Sequence, residues 1–200
     1  MSHLLLQRGS LGSAIAGRSR HALACGAMQP IETTEEIVSE GGVDFVVRCV
    51  SSLTRKDAQT ERSEQQGRGP ANPFLPHEPD LFVADVSESH FALLNKFNVI
   101  EHHLLIVTRS FVHQETLLDA GDFEALAACM AEIDGLAFYN GGAVAGASQP
   151  HKHLQLVPLP LGRSGPPLPV DVLFESVKAR DGVLQVPGLS FDHAFLRLNR

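Results

Sequence analysis

Between residues 81 and 108 the apolar positions fall into three short runs, 81–86, 90–97 and 103–108. They are separated by polar turns at Asp85 to Ser89 and Val99 to His102. Runs of this length with connections this short predict an antiparallel meander. Upstream, the segment 43–50 places Val43, Phe45, Val47 and Cys49 on one face of a predicted strand. Downstream the period changes. Phe123, Leu126, Ala127, Met130, Ile133 and Ala137 recur at helical spacing. They predict a helix beginning near Asp122, capped by Asp119 or Asp122 and stopping near Asn140-Gly141-Gly142. Residues 151–158 alternate again and read as a strand that follows a tight loop from Gly146 to Pro150. A proline-rich crossing over 158–169, a short helix over 170–180 and a strand over 189–198 complete the pattern. The sum is an α+β architecture, an antiparallel sheet with one principal helix packed on a face.

The N-terminal stretch carries Leu11, Ile15, Leu23 and Met28 at loosely amphipathic spacing, which predicts a helix over about 10–28. The first 31 residues include Arg8, Arg18 and Arg20 and no acid, a bias also seen in organelle transit peptides. The helix reading, and with it a cytoplasmic protein, is preferred. Residues 54–70 are polar and charged, and are expected to form a mobile loop. Asn72-Pro73-Phe74-Leu75-Pro76 is rigid and extended, because each proline fixes its own φ and biases the residue before it. One domain over 1–200 is expected, with its core at about 72–160 and a partial C-terminal extension at 170–200.

Composition narrows the function. With 44% hydrophobic residues, 200 residues bury a sizeable core. No apolar run approaches the ~18 residues of a membrane span, so no membrane partner is expected. The formal net charge of −7 argues against a nucleic-acid surface, which needs a basic stripe. It leaves room for a phosphate-bearing small ligand, which needs only local donors. Cys25, Cys49 and Cys129 are odd in number, far apart and without a Cys-x-x-Cys spacing. They read as small core residues and not as a disulfide or metal framework.

The chemistry concentrates in one segment. On a strand, His151, His153 and Gln155 share a face, while Lys152, Leu154 and Leu156 share the other. Gly146-Ala147-Ser148-Gln149 lies immediately upstream. Small residues led by glycine let backbone N–H groups approach an anion, and Ser148 and Gln149 add side-chain donors. A neutral imidazole is a good nucleophile near neutral pH and leaves as readily, which suits nucleotidyl transfer in two steps through a phosphoramidate. The nucleophile needs its second ring nitrogen tied to an acceptor. The carbonyl of His151, or one in the glycine-rich turn, can serve. Gln155 can donate to a phosphate oxygen but cannot act as a general acid, which favours transfer over assisted hydrolysis. Two bland readings stand beside this one. His-x-His on a strand also binds zinc, although no third ligand has a convincing spacing, and strand histidines can be purely structural. The upstream loop moves the balance toward function. At a strand end, Lys96 can meet a phosphate and Asn95 a ribose or base, although a polar strand end is the commoner meaning. Lys56, in the polar loop, cannot be told from any surface lysine.

Asn72-Pro73-Phe74, Leu94-Asn95-Lys96-Phe97, Phe138-Tyr139-Asn140-Gly141-Gly142 and the segment Gly146 to Gln155 together resemble the diadenosine tetraphosphate phosphorylases, or ATP adenylyltransferases. These form a branch of the histidine-triad superfamily. Galactose-1-phosphate uridylyltransferases share the His-x-His-x-Gln logic, but their zinc-ligand pattern is not found. The resemblance implies a HIT-like fold and phosphorolysis of diadenosine tetraphosphate to ATP and ADP through an adenylylated histidine. By motif, His153 is the nucleophile, His151 supports it and Gln155 contacts the reacting phosphate. Gly146, Ala147, Ser148 and Gln149 hold phosphates, Asn140, Asn95 and Lys96 hold the nucleotide, and Lys56 matches a phosphate-binding lysine approximately. No metal ligand and no obligatory cofactor are implied; Mg enters only as a counter-ion on the polyphosphate. Partners are the nucleotides and phosphate, with the oligomeric state open. Family members run longer at the C-terminus, where a further region helps close over the second nucleotide. A chain ending at Arg200 is therefore expected to lack part of that site, and a nucleotide-binding fragment without turnover, or another HIT-type transferase or hydrolase, is the alternative.

Overall fold

The computed structural model describes residues 3–50, 72–175, 177 and 182–198. The loop expected over 54–70, with Lys56, lies outside them. The single domain expected over 1–200 divides into two compact units. One comprises Met1–Thr33 and Val50–Leu159, the other Thr34–Cys49 and Pro160–Arg200. The fold class is α+β. No helix among the described residues is long and apolar enough to cross a membrane.

The first unit is built on a five-stranded antiparallel sheet in the order β3-β4-β5-β7-β6. The strands are β3 (Phe82–Asp85), β4 (His90–Leu94), β5 (Leu104–Thr108), β6 (Gly135–Phe138) and β7 (His153–Pro158). The meander β3-β4-β5 is the one the sequence predicts. Alternation then sorts the side chains between two faces. Ala92, Leu94, Leu104, Ile106, Leu154 and Leu156 share one buried cluster with Leu11, Ile15 and Ala22 of helix α1 (Leu11–Cys25) and with Ala125 and Cys129 of helix α2 (Ala120–Met130). Phe91, Leu93, Leu105 and Val107 form a second cluster on the opposite face with Phe74. At roughly 2 kcal/mol for each fully buried Leu or Ile, the first cluster is the main source of stability.

Helix α2 departs from expectation at both its face and its end. Asp119 caps it, forming a reciprocal capping box with Asp122. Asp122 itself turns inward to meet Lys152. That choice rotates the buried stripe to Asp122, Ala125 and Cys129 and leaves Phe123 57% and Met130 41% exposed. The helix also stops at Met130, well short of Asn140. Residues 135–138 pair with β7 instead, Phe138 opposite Gln155. Gly135 permits this, since a Cβ there would stand 2.6 Å from the Val157 carbonyl oxygen.

The second unit contains a two-stranded ribbon, β1 (Thr33–Glu40) and β2 (Val43–Val50), which turns at Gly41-Gly42. β1 is mostly polar and was not anticipated. On β2 the expected face of Val43, Phe45, Val47 and Cys49 holds only at Val43; the other three are exposed. The half-buried side is that of Val46 and Arg48, because Arg48 pairs with Glu35 at 3.3 Å. Cys25 is exposed as well, so only Cys129 is the core residue that all three cysteines were expected to be; burial pushes its thiol up to about 12. Helix α3 is short (Asp171–Glu175). Instead of the strand expected at 189–198, a single bridge joins Leu184 to Phe195, whose ring stacks on Phe174 at 5.0 Å.

Candidate active site

His153 opens β7 on the second face of the sheet, opposite Val107 of β5. Its Nδ1–H donates to the carbonyl of His151 at 2.8 Å, one of the two acceptors proposed from sequence. A backbone carbonyl can only accept, so the proton sits on Nδ1 and Nε2 keeps its lone pair. Phe74 packs against the ring, centroids 5.2 Å apart. Burial drives the pKa of His153 below the ordinary histidine range; the bond to His151 opposes the shift and the neighbouring His151 ring adds to it. The side chain is therefore a neutral imidazole at neutral pH.

The ring of His151 is fixed by a chain of one-way bonds. The Phe74 N–H donates to Asn72 Oδ1 at 3.0 Å, so the Asn72 amide nitrogen faces His151 and donates to its Nδ1 at 2.9 Å. His151 Nε2–H in turn donates to the Thr108 carbonyl at 2.8 Å. Burial lowers the pKa of His151, against the raising effect of backbone bonds at Thr108 and Ser110. With both ring nitrogens engaged, His151 is a poor zinc ligand.

Gln155 is held by a second chain of the same kind, and here the sequence reading missed a residue. The Phe97 N–H donates to Asn95 Oδ1 at 3.1 Å, Asn95 Nδ2 donates to His103 Nδ1 at 3.2 Å, and His103 Nε2–H donates to Gln155 Oε1 at 3.0 Å. The carbonyl of Gln155 is thereby fixed as an acceptor and its NH2 is the group left to donate. His103 is buried, which lowers its pKa to about 4; the Gln155 bond resists this, and repulsion from the His153 ring when protonated favours it. The sequence reading assigned His103 no role. Its one signal was its place at the start of a strand, and the register that sets it beside Gln155 joins residues 52 apart.

The remaining candidates are placed as follows. Asn95, expected at a ribose or base, uses both side-chain atoms in the Gln155 chain. Lys96, expected at a phosphate, pairs with Glu78 at 2.9 Å. Asn140 ends the strand-like run after β6, and its carbonyl accepts from Gly142 N–H and from Gln114 Nε2, each at 2.9 Å. A 3-10 turn, Ala143–Ala145, follows, and then Gly146 to Pro150 lead into His151. The Gly146 and Ala147 N–H groups close this turn on Ala143 and Gly142, while those of Ser148 and Gln149 have no acceptor among the described residues. Gly142 has φ +95°, and a Cβ there would stand 2.6 Å from Glu115 Cγ, so the loop is drawn close to the segment carrying Gln114. Gln114, also missed from sequence, is fully buried against the backbone of His153.

Behind His153, on the apolar face, Lys152 is 1% exposed. Its ammonium bonds to Asp122 and to the Leu117 carbonyl, and Asp122 also accepts from His90 at 3.0 Å. Burial alone would raise the Asp122 carboxyl, but Lys152, the Asp119 N–H and His90 outweigh it and hold it below the ordinary range.

Fold and site thus define an α+β protein with an oriented imidazole on a central strand and a glycine-rich loop leading into it. The chain belongs to the family described as the Ap4A phosphorylase N-terminal domain, whose model matches residues 1–176. It is 28% identical to Protein APA1 of Saccharomyces cerevisiae over 75% of this chain and 50% of that protein. It is 32% identical to diadenosine 5',5'''-P1,P4-tetraphosphate phosphorylase 2 of the same yeast over 58% of this chain and 39% of that protein. The crystal structure of yeast Ap4A phosphorylase Apa2 in complex with Ap4A superposes with a TM-score of 0.72 at 23% identity, covering 96% of this chain and 64% of that one. The chain spans about half the length of the curated relatives it matches.

Proposed function

We propose that this chain carries the nucleophilic part of a nucleotidyltransferase that cleaves diadenosine tetraphosphate with phosphate to give ATP and ADP. The observation that carries this is the His153 Nδ1–H held on the His151 carbonyl, which leaves Nε2 as the lone pair. In the first step Nε2 attacks an α-phosphorus; the N–P bond forms, the P–O bond to the remaining chain breaks, and ATP leaves with the electron pair. The phosphoramidate imidazole then carries a positive charge, and the His151 carbonyl stabilises it as it develops. In the second step a phosphate oxygen attacks the same phosphorus, releasing ADP and restoring His153. The Gln155 NH2 donates to a non-bridging oxygen in both steps. In this reading the Ser148 and Gln149 N–H groups and the Ser148 hydroxyl take phosphate oxygens, and Asn140, Gly146 and Ala147 shape that loop. Lys96 reaches a phosphate only by leaving Glu78, and Lys56 supplies a further charge. Mg serves as a counter-ion on the polyphosphate.

The test is to mix the protein with diadenosine tetraphosphate labelled in its adenylyl groups, without phosphate, and quench in base. Label is expected on the wild type and absent from His153→Ala; equal labelling of both would sink the assignment. The half-length match to the relatives favours one other reading, nucleotide binding without turnover. Calorimetry that shows binding, with no label in the quench, would select it.

A further inference from the structure

Gln114 lies 39 residues before His153, in the connection between β5 and α2, and its carboxamide makes three bonds there. Oε1 accepts from the His153 N–H at 2.8 Å. Nε2 donates to the His153 carbonyl at 3.1 Å and to the Asn140 carbonyl at 2.9 Å. These are groups that a neighbouring strand would normally satisfy. The backbone groups of Lys152 are taken by Val112 and Thr108 on the β5 side, so those of His153 point toward β6. The β6–β7 register runs from Gly135 opposite Pro158 to Phe138 opposite Gln155. Continued by two residues, it would place Asn140 opposite His153. That pairing is not made. The Gln114 carboxamide stands in the gap, with its carbonyl in place of the Asn140 acceptor and its NH2 in place of the Asn140 donor.

We infer that Gln114 is a positioning residue for the nucleophile, a side-chain amide that replaces one peptide of β6 and holds the sheet open beside His153 while keeping the His153 backbone fully hydrogen-bonded. Two consequences follow. The Asn140 carbonyl is held one amide away from β7, so the loop from Gly141 to Gln149 departs from the sheet where phosphates need access. The His153 N–H and carbonyl are fixed together, so the ring stays in register with the His151 carbonyl that sets its tautomer. The amide is itself restrained: its backbone carbonyl accepts from the Tyr139 hydroxyl, its N–H donates to Pro150 at 2.8 Å, and Lys152 ties down the nearby Leu117 carbonyl. A buried amide with its donors and acceptor all matched has one orientation, since a flip would set NH2 against N–H and oxygen against two carbonyls.

The role in turnover rests on the proposed reaction, and one measurement is independent of it. In Gln114→Leu, which keeps bulk and removes all three bonds, nitrogen NMR of labelled histidine without any nucleotide should show the His153 pKa rising toward the ordinary value of about 6.5 and its Nδ1–H tautomer mixing with the other. With phosphate added, kcat per site that labels in its absence should fall about 10- to 100-fold with KM changed less than about twofold. A purely structural Gln114 would lower the melting temperature but leave the folded fraction with the wild-type tautomer, pKa and kcat; that result overturns the inference. If Gln114→Leu does not fold, Gln114→Glu is read instead. Its carboxylate can accept from His153 but opposes two carbonyls, so the same changes are expected near neutral pH, and wild-type behaviour there overturns the inference. Absence of label on the wild type would overturn the proposed reaction, while the tautomer measurement would still decide Gln114.

Discussion

The pairs Asn72–His151 and Asn95–His103 are wired alike as far as the histidine and differ beyond it. In each, a backbone N–H two residues on fixes the asparagine oxygen, the asparagine nitrogen donates to Nδ1, and the proton is left on Nε2. The first chain ends on the Thr108 carbonyl, a fixed point of β5. The second ends on Gln155 Oε1, a side-chain amide that could otherwise turn over. The difference separates anchoring from polarity. His151 is locked with its own carbonyl on His153 Nδ1, whereas His103 sets which end of the Gln155 amide is left unbound. Neutral imidazoles perform both tasks, because a doubly protonated ring would meet an asparagine donor with another donor.

The largest effect should come from removing the end of the second chain. Gln155→Leu is expected to lower the rate of adenylyl labelling by roughly 10² to 10³, the usual cost of one oxyanion donor. Next is the acid sensitivity of folding. His103 protonates near 6.5 when unfolded and only near about 4 when folded. Between those values the unfolded chain holds more protons, so stability is complete above the upper value and falls as pH drops toward the lower one. The expected loss is on the order of 3 kcal/mol, read from urea midpoints across that window, and it should shrink in His103→Asn.

Asn95→Asp offers a finer cut. The carboxylate would accept from His103 Nδ1 and so favour a proton there; above a raised His103 pKa the ring presents a bare Nε2 and Gln155 turns over. An added alkaline limb in the kcat profile, with about a tenfold loss beyond it, is the expected sign; an unchanged profile would mean that Gln155 is oriented by something else. The smallest effect belongs to the first chain. Asn72→Ala leaves His151 Nδ1 without its donor at a cost of about 1–2 kcal/mol in stability, while kcat should change no more than about threefold because the Thr108 bond survives. A larger kcat loss here than in Asn95→Asp would erase the distinction between the two chains.

Much of this arrangement was legible one residue at a time and little of it in pairs. Short apolar runs with short connections gave β3, β4 and β5, and alternation gave the shared face of His151, His153 and Gln155, since neither signal needs knowledge of neighbours. The run 135–138 was assigned to a helix because its apolar positions fit either period over so few residues, and only pairing with β7 decides. β1 was hidden because it is mostly polar and is held by a partner strand. On α2 the inward Asp122 contradicts the apolar stripe, and nothing local marks it; its reason is Lys152, 30 residues later. His103 and Gln114 escaped for the same cause. Each is an ordinary polar residue whose meaning comes from a register joining distant segments.

The buried ammonium of Lys152 also bears on how His153 comes to be placed at all. A strand can slip along its neighbours, and a slip of one residue exchanges its two faces. In a strand that is apolar on both faces such an error trades one apolar side chain for another. Here it would push a charged amine among Phe74, Phe91 and Val107 and strand the Asp122 carboxylate in the core, at a cost of several kcal/mol. The correct alignment is the one in which that charge finds its counter-ion, and in that alignment His153 necessarily faces the other way. The pairing of Lys152 with Asp122 and the facing of His153 are thus one and the same choice of register.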